Sequence, residues 1–297
     1  MMNYKYYISD VFTTKRFSGN QLAVFPNADG LTDKQMQSIA REFNFSESTF
    51  VFASDRGQTR KVRIFTPSAE IPFAGHPNIG TAFVLASIGE LDEVTEITFV
   101  EKTGLVPIVL HKLENEGLWC ELKAPERLSL GETVPVKFMA AILSLTEDEI
   151  VTDTHSSQVT SVGLPFLIVQ LRDRSALQRA KINIQKLEAL AEQGVVPDVH
   201  IYIKSNDEFD IRARMFAPFD GVPEDPATGS ANCALAALLA HHDDTGSTTF
   251  EWRISQGLEM GRPSILNARV EKKEGKEISV FIGGSSVMVS NGTLFCD

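Results

Sequence analysis

The segment Arg63-Ile64-Phe65-Thr66-Pro67 returns 151 residues later as Arg214-Met215-Phe216-Ala217-Pro218, and at the same offset Ile71-Pro72 is matched by Val222-Pro223. Each block runs from a strand through a Pro-bearing loop and a turn of small residues. Each then enters a segment that is apolar on every side, residues 79–88 and 231–239. A helix with no polar face has to be buried all round. A shared order of elements, more than the five matched residues alone, reads as duplication. The chain is therefore expected to hold two α+β domains of one topology, each built around a central helix. Facing each other, two such copies would set their matching loops across a common cleft. With 297 residues there is length enough for both. The expected domains are residues 1–124 and 125–284, with a last strand at about 285–297 returning to the first.

Local patterns fill in the rest. A strand over 4–11, the turn Phe17-Ser18-Gly19-Asn20 and a short strand over 22–25 open the chain. Thr32 and Gln35 form a capping box, and Met36, Ile39, Ala40 and Phe43 follow at helical spacing, which predicts the first helix. Strands over 50–52 and 62–65 flank a turn at Gly57, and further strands are expected at 97–100, 106–110 and 118–122. In the second half the pattern predicts helices at 137–143, 147–151 and 184–193, with Thr146 and Glu149 as a second capping box. Strands are expected at 166–171, 200–204 and 211–216. The tail returns to β, with Gly257 and Gly261 at turns and Asn291-Gly292 as a hairpin turn.

Charge and cysteine usage exclude whole classes of function. Lys and Arg number 28 against 39 Asp and Glu, a net charge of −11, so there is no basic field to displace counterions from a nucleic acid. Cys120, Cys233 and Cys296 lie far apart, with neither a disulfide framework nor zinc-finger spacing. The first residues lack the apolar core of a signal peptide, and the longest apolar run, 233–240, is too short to span a membrane. A reduced, cytoplasmic chain with neither nucleic-acid nor membrane partners is expected. No Gly-rich dinucleotide fingerprint, phosphate loop, nucleophile elbow or zinc-protease motif occurs. What remains is a reaction without cofactor or metal, or no reaction.

The two duplicated loops, 73–80 and 222–231, each precede a buried helix. A helix start offers unpaired N–H groups and the positive end of a dipole, a seat for a carboxylate, and Gly75 and Gly229 let a ligand approach the backbone. His76 and Asp225 bring titratable groups to these loops; the plainer reading is a satisfied loop histidine and a capping carboxylate. Glu47 stands in Phe45-Ser46-Glu47-Ser48-Thr49-Phe50, a polar tetrad walled by phenylalanines. A carboxyl in such an apolar pocket would have a raised pKa and could shuttle a proton, although exposed capping is the alternative. Cys233, one turn inside the second buried helix, reads either as a thiolate base or as a small buried apolar residue.

Several separate motifs resemble those of the phenazine-biosynthesis PhzF-like isomerase family. They are Asp10-Val11-Phe12-Thr13 with Phe17-Ser18-Gly19-Asn20-Gln21-Leu22-Ala23-Val24, Asn44-Phe45-Ser46-Glu47-Ser48, and Gly75-His76-Pro77. Both Arg-x-Phe-x-Pro blocks, Glu224-Asp225-Pro226-Ala227-Thr228-Gly229-Ser230-Ala231-Asn232, and Gln256-Gly257 with Met260-Gly261-Arg262-Pro263-Ser264 complete the set. The resemblance implies the diaminopimelate-epimerase-like fold, an α+β architecture of two similar domains, each a curled mixed sheet wrapped around a central helix. It implies a cofactor-independent isomerase, a homodimer, that moves a proton between carbons of a small carboxylic acid. Glu47 would be the acid/base group, with His76 and Asp225 as partners at the substrate; Gly75, Ser230, Gly229 and Asn20 would bind the substrate. In epimerases of this fold two cysteines occupy these loops, and His76 and Asp225 in their place disfavour two-cysteine racemisation. Asn78 departs from the Thr expected after Gly-His-Pro, and Ser48 from a frequent Thr. The rival readings are a catalytically silent small-acid-binding protein and an epimerase using Cys233.

Overall fold

The computed structural model describes residues 2–54, 59–91, 95–113, 117–272 and 278–296; the turn expected at Gly57 lies outside them. The chain divides into two compact units, Met1–Lys123 with Gly283–Asp297, and Ala124–Ile282.

The first unit contains β1 (Met2–Val11), β2 (Asn20–Phe25), α1 (Asp33–Phe43), β3 (Glu47–Phe52), β4 (Arg60–Phe65) and β5 (Glu70–Ile71). It continues with α2 (Gly75–Ser87), β6 (Glu96–Glu101), β7 (Gly104–Leu113) and β8 (Gly117–Lys123). Strand pairing runs β8-β7-β6-β4-β3-β2-β1, with β2–β3 and β4–β6 parallel and the other pairs antiparallel. The last strand of the chain pairs with both β1 and β8 and closes the sheet into a barrel. Its axis is α2, which is buried from Gly75 to Leu85 and packs on β1, β2, β3, β7 and β8. The capping box at Thr32 and Gln35 forms as expected, and α1 lays Met36, Ile39 and Ala40 against the outer face of the sheet over Phe25, Phe50 and Phe65.

The second unit contains β9 (Ser129–Thr133), α3 (Val136–Leu143), β10 (Ile150–Val151), β11 (Gln158–Ser161), β12 (Pro165–Leu171), α4 (Arg174–Arg179) and α5 (Ile184–Ala191). After these come β13 (Val199–Lys204), β14 (Ile211–Ala217), β15 (Val222–Asp225), α6 (Gly229–His242), β16 (Thr249–Gln256), β17 (Ser264–Lys272) and the start of β18 (Ile278–Cys296). Its pairings repeat those of the first unit. β12–β13 is parallel like β2–β3, β13–β14 antiparallel like β3–β4, and β14–β16 parallel like β4–β6. The central helix α6, buried from Gly229 to Ala240, packs on β11, β12, β16 and β17.

The repeated arginines explain why those residues in particular recur. Arg63 on β4 donates Nε and Nη2 to the two carboxylate oxygens of Glu70 on β5, at 2.8 and 2.7 Å, and lies over the ring of Phe65. Arg214 on β14 does the same to Glu224 on β15, at 2.8 and 2.9 Å, and lies over Phe216. In each unit a bidentate pair thus fixes the short return strand that leads into the central helix.

Four expectations need correction. Both central helices begin earlier than their apolar runs, α2 at Gly75 and α6 at Gly229. Pro77 is no obstacle, because a first-turn residue has no intrahelical N–H bond to lose. Residues 147–151 are not a helix: the Thr146 capping box closes on a single 3-10 turn, after which Ile150 and Val151 pair with β12. Asn291-Gly292 is not a hairpin turn but mid-strand in β18, paired with Tyr7 and Tyr6. A Cβ on Gly292 would sit 2.5 Å from the Tyr6 hydroxyl oxygen, so this glycine makes room for a cross-strand ring rather than bending the chain. Finally, Phe45 and Phe50 do not wall Glu47. Alternation along β3 sends Phe50 to the α1 side, where Phe45 also packs, while Thr49 bonds Thr81 of α2 at 2.8 Å. Glu47 shares the Thr49 face. The exposed run Ser129–Thr133 had no hydrophobic alternation to announce it as β9.

Candidate active site

In the first unit three of the expected residues converge. Glu47 opens β3, immediately after Asn44 ends α1 in the left-handed conformation. His76 lies in the first turn of α2 and Asn20 at the start of β2. The Asn20 amide is 3.2 Å from His76 Nδ1, and Glu47 Oε2 is 3.5 Å from the same nitrogen. The tautomer decides which group donates in the Asn20 contact; with the amide nitrogen donating, Nδ1 accepts and the ring hydrogen lies on Nε2, which has no hydrogen-bond partner among the described residues. His76 is 3% exposed, and burial pushes its pKa down to about 3 against a weaker upward pull from the Gln21 backbone. The ring is therefore uncharged at neutral pH. That matters for Glu47, because an imidazolium at this distance would hold it as a carboxylate.

The second unit supplies a different set. Asp225 ends β15 buried, and accepts the Thr228 hydroxyl on Oδ2. Thr228 is the N-cap of α6 but makes no side-chain cap bond, and Ala74 cannot cap α2. Both central helices thus begin without a side chain on their first-turn N–H groups, at Gly229-Ser230 and at Gly75-His76. Gln256, at the end of β16, was quoted in a motif but given no role. Its Nε2 donates to the Asp225 carbonyl at 2.8 Å and to Thr228 Oγ1 at 3.1 Å. Its Oε1 accepts from Thr228 N at 3.2 Å and from Asn232 Nδ2 at 2.8 Å. One amide therefore pins the turn from Asp225 to the start of α6. Gly257 follows in the left-handed region, and a Cβ there would lie 2.5 Å from the Pro226 carbonyl, so the tight approach requires glycine. Cys233 sits among the fully buried residues of α6. Among the described residues no group of three or more His, Cys, Asp and Glu could hold a metal ion. A cavity of about 590 Å³ beside Tyr4, Lys5, Asp29 and Glu90 is not lined by Glu47, His76, Asp225 or Gln256.

The phenazine biosynthesis-like protein family model matches residues 9–292. The chain belongs to that family. An uncharacterized isomerase of Mesorhizobium japonicum is 36% identical over 99% of this chain and 100% of its own length. The trans-2,3-dihydro-3-hydroxyanthranilate isomerase of Pseudomonas aeruginosa is 32% identical over 98% of this chain and 99% of its own. A phenazine biosynthesis protein of the PhzF family from Bacillus anthracis superposes with a TM-score of 0.91 at 25% identity, covering 100% of both chains. A hydroxyproline epimerase from Agrobacterium vitis has a TM-score of 0.66 at 13% identity over 99% of this chain and 91% of that one, a likeness of fold alone. The expected fold class is correct, and the chain is an isomerase of this family. No helix among the described residues is long and apolar enough to cross a membrane.

The buried histidines give the family member a defined acid response. His200 on β13, wholly buried, has its pKa pushed down to about 4 by burial, as His76 has to about 3. The unfolded chain binds protons at both rings below about pH 6.5, while the folded chain does not. Each ring therefore contributes a loss of stability of up to ~1.4 kcal/mol per pH unit as pH drops from about 6.5 toward 4, opposed over the same range by Glu101 and Asp198, whose pKa values burial raises to about 8 and about 7 so that the fold holds protons the unfolded chain has lost. Urea unfolding between pH 4.5 and 7.5 measures the net slope, and a fold-competent His200→Gln variant, which lacks one ring's share, should lose less stability than the unaltered protein as pH falls.

Proposed function

We propose that the chain isomerises a small carboxylic acid by moving a proton from one carbon to another, with Glu47 as the acid/base group. The observation that carries the reading is Glu47 Oε2 3.5 Å from Nδ1 of a buried, uncharged His76 that Asn20 orients. A group that deprotonates one carbon and reprotonates the next has to serve as base and then as acid. Asn20 and His76 position it, and Gly75 leaves the α2 start open to a polar substrate group. In the second unit Asp225, Gly229 and Ser230 are substrate-binding groups, with unpaired helix-start N–H groups suited to a carboxylate. A homodimer in the cytoplasm remains part of the proposal.

Trans-2,3-dihydro-3-hydroxyanthranilate, named for the Pseudomonas relative, is the first acid to test, followed by cyclic and amino-carboxylic acids. Purified protein incubated with each in D₂O is expected to yield an isomer visible by NMR. Deuterium enters at carbon if the shuttle exchanges with solvent, and product without deuterium means a shielded shuttle. Binding without product across the panel would replace the isomerase reading with that of a small-acid-binding protein.

A further inference from the structure

Gln256 does more than hold a turn, because the direction of each of its four hydrogen bonds is forced. Its side chain is buried between two backbone groups that allow its amide only one setting. The Thr228 N–H can only donate, so it meets Oε1, at 3.2 Å; the Asp225 carbonyl can only accept, so it meets Nε2, at 2.8 Å. Asn232 agrees with that setting. Its Nδ2 donates to the Thr228 carbonyl at 2.9 Å and to Gln256 Oε1 at 2.8 Å. The second hydrogen on Gln256 Nε2 then goes to Thr228 Oγ1, at 3.1 Å. A hydroxyl has a single hydrogen, and with its oxygen accepting from Gln256 that hydrogen is left for Asp225 Oδ2. The chain runs one way, from amide to hydroxyl to carboxyl.

The first unit shows what a central helix needs without this chain. Asn78 stands in α2 where Asn232 stands in α6, and donates Nδ2 to the carbonyl of Ala74 at 3.0 Å. Ala74 occupies the N-cap position that Thr228 has in α6, and it has no hydroxyl. The counterpart of Gln256 follows from strand register. Ala213 on β14 is opposite Gln256 on β16, and Val62 on β4 is its equivalent at the 151-residue offset (213 − 62). Phe99 and Val100 on β6 are opposite Arg60 and Lys61, so the next residue, Glu101, comes to that position with a carboxyl in place of the amide. A helix of this kind therefore starts with the asparagine bond alone. The amide–hydroxyl chain belongs to the copy in which an aspartate precedes the helix.

We propose that Gln256 is a positioning residue for the reaction: through Thr228 it directs a hydrogen onto Asp225 Oδ2 and so fixes the orientation in which Asp225 meets the substrate. The proposal rests on the reading of Asp225 as a substrate-binding group. An aspartate side chain turns about two bonds. A hydrogen bond received in one direction, from a hydroxyl that is itself held from behind, removes that freedom before a substrate arrives. Without Gln256 the Thr228 hydroxyl is free to rotate away, and Asp225 loses its fixed setting.

The hydrogen positions are measurable without a substrate. Neutron diffraction from deuterium-exchanged crystals of the unaltered protein is expected to show one Gln256 Nε2 deuterium toward the Asp225 carbonyl and the other toward Thr228 Oγ1. The hydroxyl deuterium should point to Asp225 Oδ2, and one that points elsewhere overturns the proposal whatever the substrate proves to be. Turnover tests the positioning. Gln256→Met and Thr228→Val are each expected to lower kcat/KM by ~10–100-fold. Because both break one chain, the double variant should lose no more than the worse single variant. Thr228→Ser should recover most of the Thr228→Val loss. If Gln256→Met does not fold, Gln256→Glu takes its place, its second oxygen competing for the same hydroxyl hydrogen. The loss should fall on KM as well as kcat; a fall in kcat alone is that of a less folded population and overturns the proposal, as do losses that multiply in the double variant. Should the acids bind without turnover, their Kd replaces kcat/KM in the same comparison. An unimpaired Asp225→Ala with the deuteriums in place would reject the substrate reading of Asp225, and the positioning with it.

Discussion

Glu47→Gln is expected to abolish turnover, by at least the ~10²–10⁴-fold that a single acid/base group contributes. Glutamine keeps the length of the side chain and its contact distance to His76, but it cannot carry a proton from one carbon to another. Because Glu47 is at the edge of β3 with a side chain 15% exposed, the substitution leaves no cavity, and the fold should persist. Binding of the substrate acid, measured by calorimetry on the variant, should survive within about tenfold. Turnover near that of the unaltered enzyme would sink the mechanism. Asp225→Ala tests the other half of the proposal, and is expected to raise KM and lower kcat together, since Asp225 is assigned to positioning the substrate.

The second large effect is on stability. Arg214→Ala should destabilise the protein by ~3–5 kcal/mol, the range for breaking a buried pair from one side. Arg214 is buried, and besides the Glu224 pair its Nη1 donates to the carbonyls of Leu177 and Ala180 at 2.8 and 2.9 Å. Removal strands a carboxylate and two carbonyls at the end of α4. The matching Arg63→Ala should cost less, because its side chain is 20% exposed against 8% for Arg214 and water can reach the vacated partners. Arg172→Ala, which loses surface pairs with Asp148 and Asp173 and a 3.5 Å contact to Glu149 that Arg179 also bonds, should cost the least of the three. Chemical denaturation of the three variants checks the order, and an Arg214→Ala loss no larger than that of Arg172→Ala would contradict the assignment.

Much of the architecture was written in local signals. The repeat at Arg63 and Arg214 was legible because the same ion pair and ring contact recur in both copies, so the same residue types had to recur. The two all-apolar segments announced central helices, but their starts were hidden. Gly75-His76-Pro77 and Gly229-Ser230 look like loop, and nothing in local propensity says that a first turn without side-chain caps is helical. Asn291-Gly292 carried the strongest short hairpin signal in the tail and was overridden by a ring across the strand. For the site, residue types singled out Glu47 and His76 separately, their partnership came only from the family resemblance, and the reason given for Glu47 was mistaken. The apolar surroundings come from the buried ring and helix, while the flanking phenylalanines face away. Gln256 was silent because its meaning lies in partners far along the chain, Asp225 and Thr228.

The closing strand of the first barrel has a consequence for how the protein is made. β1 pairs with β18 from Met2 opposite Cys296 to Val11 opposite Ser286, a contact that spans nearly the whole chain. During synthesis the first unit must wait, with the edges of β1 and β8 unpaired, until all of residues 124–282 have emerged. Open strand edges recruit other strands, and contacts this distant in sequence form slowly. The second unit, contiguous in the chain, has no such delay and can fold as it leaves the ribosome. The nascent protein is thus most exposed to aggregation not when it is shortest but when it is more than half finished, and a chaperone that shields β-edges would act on it in that interval.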